Sequence, residues 1–215
     1  MHNQIYTVIG KSGSGKSHLV AGMIDYYYRN EIRENIIVID SSNDYKEDKG
    51  LDFLNHLYLQ EDEVGEIDIE AVIKDHKQVL FEFAGMTEEK RRSLCDQIVN
   101  AVFNLGNTLL VVDEGYLFVP KQGKMKSFQK ALSGGRKEGI DQIYIIQRVQ
   151  QINLLVLSQK DVLISFNINE SKEIEKVREN IPVDVKPETF QNLKEREFLT
   201  FYKDQVDKRK NELNI

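Results

Sequence analysis

Residues 4–20 read QIYTVIGKSGSGKSHLV: an apolar run, a glycine-rich turn, then an amphipathic stretch. Gly10-Lys11-Ser12-Gly13-Ser14-Gly15-Lys16-Ser17 satisfies the pattern G-x-x-x-x-G-K-[ST] (Walker A) at every position. Each part has a physical reason. The glycines let the chain curl so that consecutive backbone N–H groups converge on one point, and the following helix adds the positive end of its dipole. Lys16 supplies a point charge to the outer phosphates, and Ser17 offers a hydroxyl to magnesium. The nucleotide-binding set read from this loop runs Gly10, Lys11, Ser12, Gly13, Ser14, Gly15, Lys16, Ser17 and His18. A Gly/Ser-rich turn can match by accident, but a strand before it and a helix after it are the context a phosphate loop requires.

Along the rest of the chain, strand-length apolar runs alternate with amphipathic helical stretches. The strands expected are Ile5–Ile9, Ile36–Asp40, Val79–Phe83, Thr108–Val112, Gln142–Gln147, Val162–Phe166 and Phe198–Tyr202. The helices expected are Lys16–Arg29, Ile69–His76, Thr87–Leu105, Ser127–Glu138, Ser171–Asn180 and Pro187–Leu193. Continuous runs such as NIIVID and TLLVVDE suit strands buried on both faces of a parallel sheet. The alternation predicts an α/β fold with right-handed crossovers. The acid-rich region Ser41–Glu66 is less regular, with a short helix expected at LDFLNHL. The tail, 204–215, is charged and expected to fray or form a solvated helix. One domain over 1–215, with a core of about 4–203, is the expected organisation.

Composition narrows the function classes. The chain has 215 residues, 29 basic and 35 acidic, with formal net charge −6. That argues against a generally basic nucleic-acid coat protein but leaves room for a local basic groove. One cysteine, Cys95, excludes an intramolecular disulfide, suits a reduced, intracellular setting and reads as a small core residue. The four histidines lie far apart without Cys partners at ligand spacing, which argues against zinc. The N-terminus MHNQIY lacks a basic-then-apolar start, and no run is long enough to span a membrane. The tyrosine run Tyr26-Tyr27-Tyr28 is read as helix–sheet packing plus partly exposed rings, because successive helical residues point in different directions.

Two further stretches carry chemistry. LLVVDE, residues 109–114, is an apolar strand ending in two carboxylates (Walker B). Asp113 is placed to hold magnesium with Ser17, and Glu114 to polarise an attacking water. Positioning and charge neutralisation are what phosphoryl transfer needs. The plain alternative is a pair of acids facing solvent. A Glu directly after the Asp favours hydrolysis over a kinase. QVLFEF is taken as the strand that intervenes between the phosphate-loop strand and the Asp-Glu strand in ATPases with an added catalytic glutamate. GGRKEGIDQIYIIQR, residues 134–148, holds a strand ending in Gln147 and Arg148. If that strand lies beside the phosphate-loop strand, the Gln147 amide reaches the γ-phosphate or the attacking water; otherwise it caps a strand at the surface. Gly139 is expected to end the preceding helix, with Arg136-Lys137 in its last turn.

Four pieces, in order, resemble the HerA/FtsK superfamily of DNA-pumping ATPases, including packaging ATPases of membrane-containing double jelly-roll viruses. They are GKSGSGKS; IIVIDSSNDY, with an Asp at a strand end and an aromatic beyond it; LLVVDEG; and GRKEGIDQIYIIQR, similar to the family's Arg-x-x-Gly-Ile, strand, Gln-Arg pattern. VLISFNINESKEIEKVREN and LKEREFLTFY resemble its closing elements. Val149 stands where members often carry Pro, and Ile146 where they often carry Thr or Ser. The resemblance implies a RecA-like phosphate-loop NTPase of the additional-strand, catalytic-glutamate type, a mostly parallel sheet flanked by helices, using ATP and Mg2+. It also implies a trans role for Arg136, an arginine finger reaching a neighbour's nucleotide, with Arg148 as second candidate; ordinary surface ion pairs are the alternative for both.

Residues 121–137, KQGKMKSFQKALSGGRK, hold six basic residues and no acid. Lys121, Lys124, Lys126 and Lys130 are the candidates for following a DNA backbone without reading sequence, against the alternative of a solvated basic loop. The function expected is an ATP-driven translocase of double-stranded DNA, a viral genome-packaging ATPase acting as a homo-oligomeric ring. A bare core without reader domain or anchor suits that better than a chromosome translocase. Its partners would be DNA and a capsid or membrane-vertex protein, its location the host cytoplasm or the virion. Kept beside it are an ATP-dependent switch or assembly factor that moves no DNA, and a cellular or plasmid HerA-like pump. A small-molecule kinase is disfavoured, since no arginine-rich lid is visible.

Overall fold

The computed structural model describes residues 3–41, 45, 50–83, 85–115, 126–202 and 205–210. Among the described residues nine strands form one sheet: β1 (Ile5–Ile9), β2 (Asn35–Asp40), β3 (Asn55–Leu59), β4 (Gln78–Phe83), β5 (Thr108–Val112), β6 (Asp141–Ile146), β7 (Val162–Ser165), β8 (Glu197–Tyr202) and β9 (Gln205–Lys210). Their order is β3-β4-β2-β5-β6-β1-β7-β8-β9. All pairs from β3 to β7 are parallel, and β8 and β9 add antiparallel. The helices are α1 (Lys16–Arg29), α2 (Ile69–His76), α3 (Glu88–Leu105), α4 (Lys126–Gly134), α5 (Leu154–Gln159), α6 (Ser171–Arg178) and α7 (Pro187–Gln191).

The continuous apolar runs are buried on both faces, as their composition requires. Every residue of β2, β5, β6 and β7 is buried. Because side chains alternate along a strand, neighbours feed separate cores. Leu110 and Val112 join the larger cluster with α2 to α7, whereas Leu109 and Val111 join the cluster under α1. Tyr27 is buried in that second cluster, Tyr28 stacks on Phe53 and Tyr26 stays exposed, so the tyrosine run packs as expected. Cys95 is a fully buried residue of α3, and burial pushes its thiol up.

Several expectations need correction. The strand that intervenes between β1 and β5 is β6; QVLFEF is β4, on the far side of β2. LDFLNHL is no helix: its last residues enter β3, an edge strand with mostly exposed side chains. The tail, expected to fray or coil as a helix, pairs as β9 over Gln205–Lys210, in a hairpin with β8. The helix of residues 127–138 stops at Gly134, so Arg136 and Lys137 stand in the turn beyond it, not in its last turn. Helix α5 was not foreseen.

Truncating the fully buried Leu110 to Ala removes packing from the larger core and should cost about 2–5 kcal/mol, read by urea denaturation.

Candidate active site

The parallel strands end on one edge of the sheet, and their ends carry the motif residues. β1 runs into the phosphate loop, whose Gly10, Gly13 and Gly15 have φ of 150, 71 and 103. At Gly10 glycine is required: a Cβ there would lie 2.7 Å from the Phe166 Cβ. Gly15 precedes α1 in a left-handed conformation, which brings the first N–H groups of α1 to the end of the loop. The Lys16 Nζ donates to the Lys11 carbonyl at 2.9 Å and is nearly buried, held against the loop it serves. Backbone hydrogen bonds pin the loop, among them Gly10 N–H to the Ile146 carbonyl (3.3 Å) and Lys11 N–H to the Asn167 carbonyl (3.1 Å).

Two strands away, β5 ends in Asp113 and Glu114. Asp113 is 1% exposed, and its Oδ1 accepts the Glu114 N–H at 2.8 Å. Glu114 has φ 50, a left-handed conformation that a non-glycine residue adopts at a cost of about 1–3 kcal/mol when the surroundings enforce it. The surroundings do so here: the Gly115 N–H donates to the Ile145 carbonyl at 3.0 Å, clamping the turn to β6. The Glu114 carboxylate meets two neighbours, the Gln147 amide on Oε1 and the Ser41 hydroxyl on Oε2, both at 3.4 Å. Glu114 and Gln147 therefore meet beside the phosphate loop. Asp40, fully buried at the end of β2, accepts the Tyr45 N–H at 3.0 Å, which joins the strand-end Asp to the aromatic beyond it.

The other predicted residues are more scattered. Arg148 is exposed at the rim of a cleft of about 500 Å³ shared with Lys11, Ser12, Gln147, Glu170 and Glu173. Burial, with Glu170 beside it, pushes the Glu173 carboxyl up, and Arg148 opposes that. Arg136 lies at the opposite edge of the sheet. Its guanidinium pairs with Asp161 at 3.0 Å and donates to the Gln159 carbonyl at 2.8 Å, while the Asp161 carboxylate accepts the N–H of Ile5, the first residue of β1. The five residues of β1 put roughly 15 Å between that edge and the chain's own phosphate loop. Lys121 and Lys124 lie outside the described residues. Lys126 is exposed on α4, and the Lys130 ammonium sits 3.9 Å over the Phe103 ring, a cation–π contact within the chain. Sequence reasoning missed Ser41, whose hydroxyl reaches both the Asp113 carbonyl and the Glu114 carboxylate, and Asn167, whose carbonyl accepts the Lys11 N–H; such contacts leave no pattern in sequence.

The fold and this edge define a RecA-like phosphate-loop ATPase. A profile of the family "Helicase HerA, central domain" matches residues 4–214. The chain belongs to that family. Solved structures share its fold at low identity. The genome packaging NTPase B204 of Sulfolobus turreted icosahedral virus 2, in complex with AMP, aligns at TM-score 0.74 and 21% identity over 99% of this chain and 100% of that one. VirB4 of Thermoanaerobacter pseudethanolicus aligns at TM-score 0.74 and 13% identity over 98% of this chain and 90% of that one. The bacterial conjugative coupling protein TrwBdeltaN70 gives 0.74 and 12%, over 98% and 85%. No curated protein sequence matches. Among the described residues no helix is long and apolar enough to cross a membrane.

Substituting Glu114→Gln should leave nucleotide binding intact and lower ATP turnover by about 10²-fold or more, the usual worth of a positioned base. Phosphate release and nucleotide affinity measured on the same preparation check both halves.

Proposed function

We propose that the protein hydrolyses ATP to drive double-stranded DNA through a ring of its own copies, as a genome-packaging motor. One observation carries the reading: the Gln147–Glu114 contact at 3.4 Å beside the phosphate loop, with Arg136 held at the far edge of the same sheet. The chain's own arginine of the Arg-x-x-Gly-Ile pattern is too distant to serve its own nucleotide, so a second copy is the natural source of that charge. The B204 and VirB4/TrwB likenesses support a DNA-handling ATPase, and B204 has been solved with AMP, AMPPCP and ATP-gammaS.

In this reading the loop N–H groups and Lys16 neutralise the phosphates. Glu114 takes a proton from water as its oxygen attacks the γ-phosphorus, and the bond to the β–γ bridging oxygen breaks, leaving ADP and phosphate. Gln147 orients the water and Glu114 together. Magnesium fits the donor set, since the Ser17 hydroxyl and the Asp113 carboxylate are hard oxygens of the kind that ion prefers. When bound, it would neutralise charge on the β- and γ-phosphates. Arg136 of a neighbouring copy would add charge stabilisation worth about 10³–10⁵ in rate where fingers act in other systems. The basic stretch 121–137 offers phosphate-backbone contacts through Lys121, Lys124 and Lys126; Lys130, engaged with Phe103, contributes less.

Duplex DNA of any sequence should stimulate ATP turnover at low salt, and the stimulation should fall steeply as salt rises, because backbone contacts release counterions. The Lys124→Ala/Lys126→Ala variant should lose most of it. No stimulation at low salt would instead favour a nucleotide switch that moves no DNA.

A mixing experiment tests the trans arginine. Glu114→Gln and Arg136→Lys subunits, each inactive alone, should regain part of the wild-type rate when combined. Mixtures that stay inactive would show that the arginine does not act across an interface.

A further inference from the structure

The turn between α7 and β8 is tied to the phosphate loop at two points. Asn167, just past β7, accepts the Lys11 N–H on its carbonyl, and its side-chain amide donates to the carbonyls of Gln191 (2.7 Å) and Leu193 (3.0 Å). Further along, the Arg196 N–H donates to the Ser14 carbonyl at 3.3 Å. Arg196 has φ 62, a left-handed conformation that a glycine would adopt without strain. Strain of this kind persists where the surroundings over-determine the backbone, and it gathers at ligand sites.

The strained residue is a cation at the loop's flank. A Cβ built on Gly15 would come 3.4 Å from the Arg196 Cγ, so the arginine stem lies against the residue immediately before Lys16. Arg196 is exposed, and its guanidinium has no hydrogen-bond or ion-pair partner among the described residues. The direction of approach matters. Glu114 and Gln147 reach the loop from β5 and β6, on one side of β1. Arg196 precedes β8, on the other side, beyond β7. The groups suited to the γ-phosphate and to water thus occupy one flank, and the free guanidinium the other.

We propose that Arg196 is a nucleotide-binding residue, its guanidinium contacting the α- and β-phosphates of the nucleotide held by the same chain's phosphate loop. The assignment rests on the ATPase reading above and adds a second cation from the far end of the chain. It makes the α7–β8 turn part of the nucleotide site. ADP and ATP should feel the contact alike, since it does not involve the γ-phosphate.

The test is calorimetric titration of ADP and of AMPPCP, with magnesium, into wild type, Arg196→Gly, Arg196→Lys and Lys16→Ala. Glycine suits φ 62, so Arg196→Gly should melt no lower than wild type without ligand, and a binding loss is then not a folding loss. Expected is a loss of about tenfold or more for both nucleotides in Arg196→Gly, the size of one charge-assisted hydrogen bond, partly restored in Arg196→Lys. Wild-type affinity in Arg196→Gly, with binding abolished in Lys16→Ala, would overturn the Arg196 assignment and leave the phosphate loop standing. A loss confined to AMPPCP would overturn the α/β-phosphate assignment. Failure of wild type to bind either nucleotide would overturn both readings together.

Discussion

Strand β6 holds the site together. Its Ile146 carbonyl accepts the N–H of Gly10, which opens the phosphate loop, and its Ile145 carbonyl accepts the N–H of Gly115, which closes the Asp113-Glu114 turn. Consecutive residues of one strand thus fix both halves of the nucleotide site. The next residue along, Gln147, places its amide on Glu114. The ladder tolerates no slip: moving β6 by one residue would turn Gln147 to the other face and part the two turns. Full burial of β6 specifies the register, because a slip would also exchange the residues facing the two cores.

Backbone strain marks two positions beside the phosphate loop. Glu114 and Arg196 are both left-handed non-glycine residues beside the phosphate loop. Each is held by a backbone hydrogen bond at or next to it, Glu114 through the neighbouring Gly115 to β6 and Arg196 directly to the loop. The opposite edge of the sheet is organised by ion pairs. Arg33 bonds Asp141, a buried pair whose carboxylate also accepts the Gln4 N–H, and Arg136 bonds Asp161. The Arg33 pair is closed and structural. The Arg136 pair is partly exposed, its arginine side chain 44% accessible, so the proposed trans role would break it at modest cost.

The central sheet was legible because its strands are buried on both faces and so had to be written as unbroken Ile, Val and Leu runs. The edges were not. β3, NHLYL, carries mostly exposed side chains, so its polar and apolar mixture reads as well for a helix. β9, QVDKRK, is held by its backbone pairing with β8 and shows only charge in sequence. The loop lysine, the two carboxylates and Gln147 announced themselves by motif, and the structure gathers them on one edge. Which strand intervenes between β1 and β5 was misjudged, because sequence order does not reveal sheet order. Arg196 gave no signal at all: LKEREFL is an ordinary polar turn until its backbone angle and its contact with Gly15 are seen.

The proposed motor depends on an ATP site completed by a second copy, with a guanidinium delivered across an interface. The most direct measurement is the specific ATPase rate as the protein is diluted over several decades of concentration, with the assembly state followed in parallel. A rate per chain that falls as the assembly dissociates is predicted. A rate that stays constant for dissociated single chains would contradict the shared site and leave a self-sufficient nucleotide hydrolase.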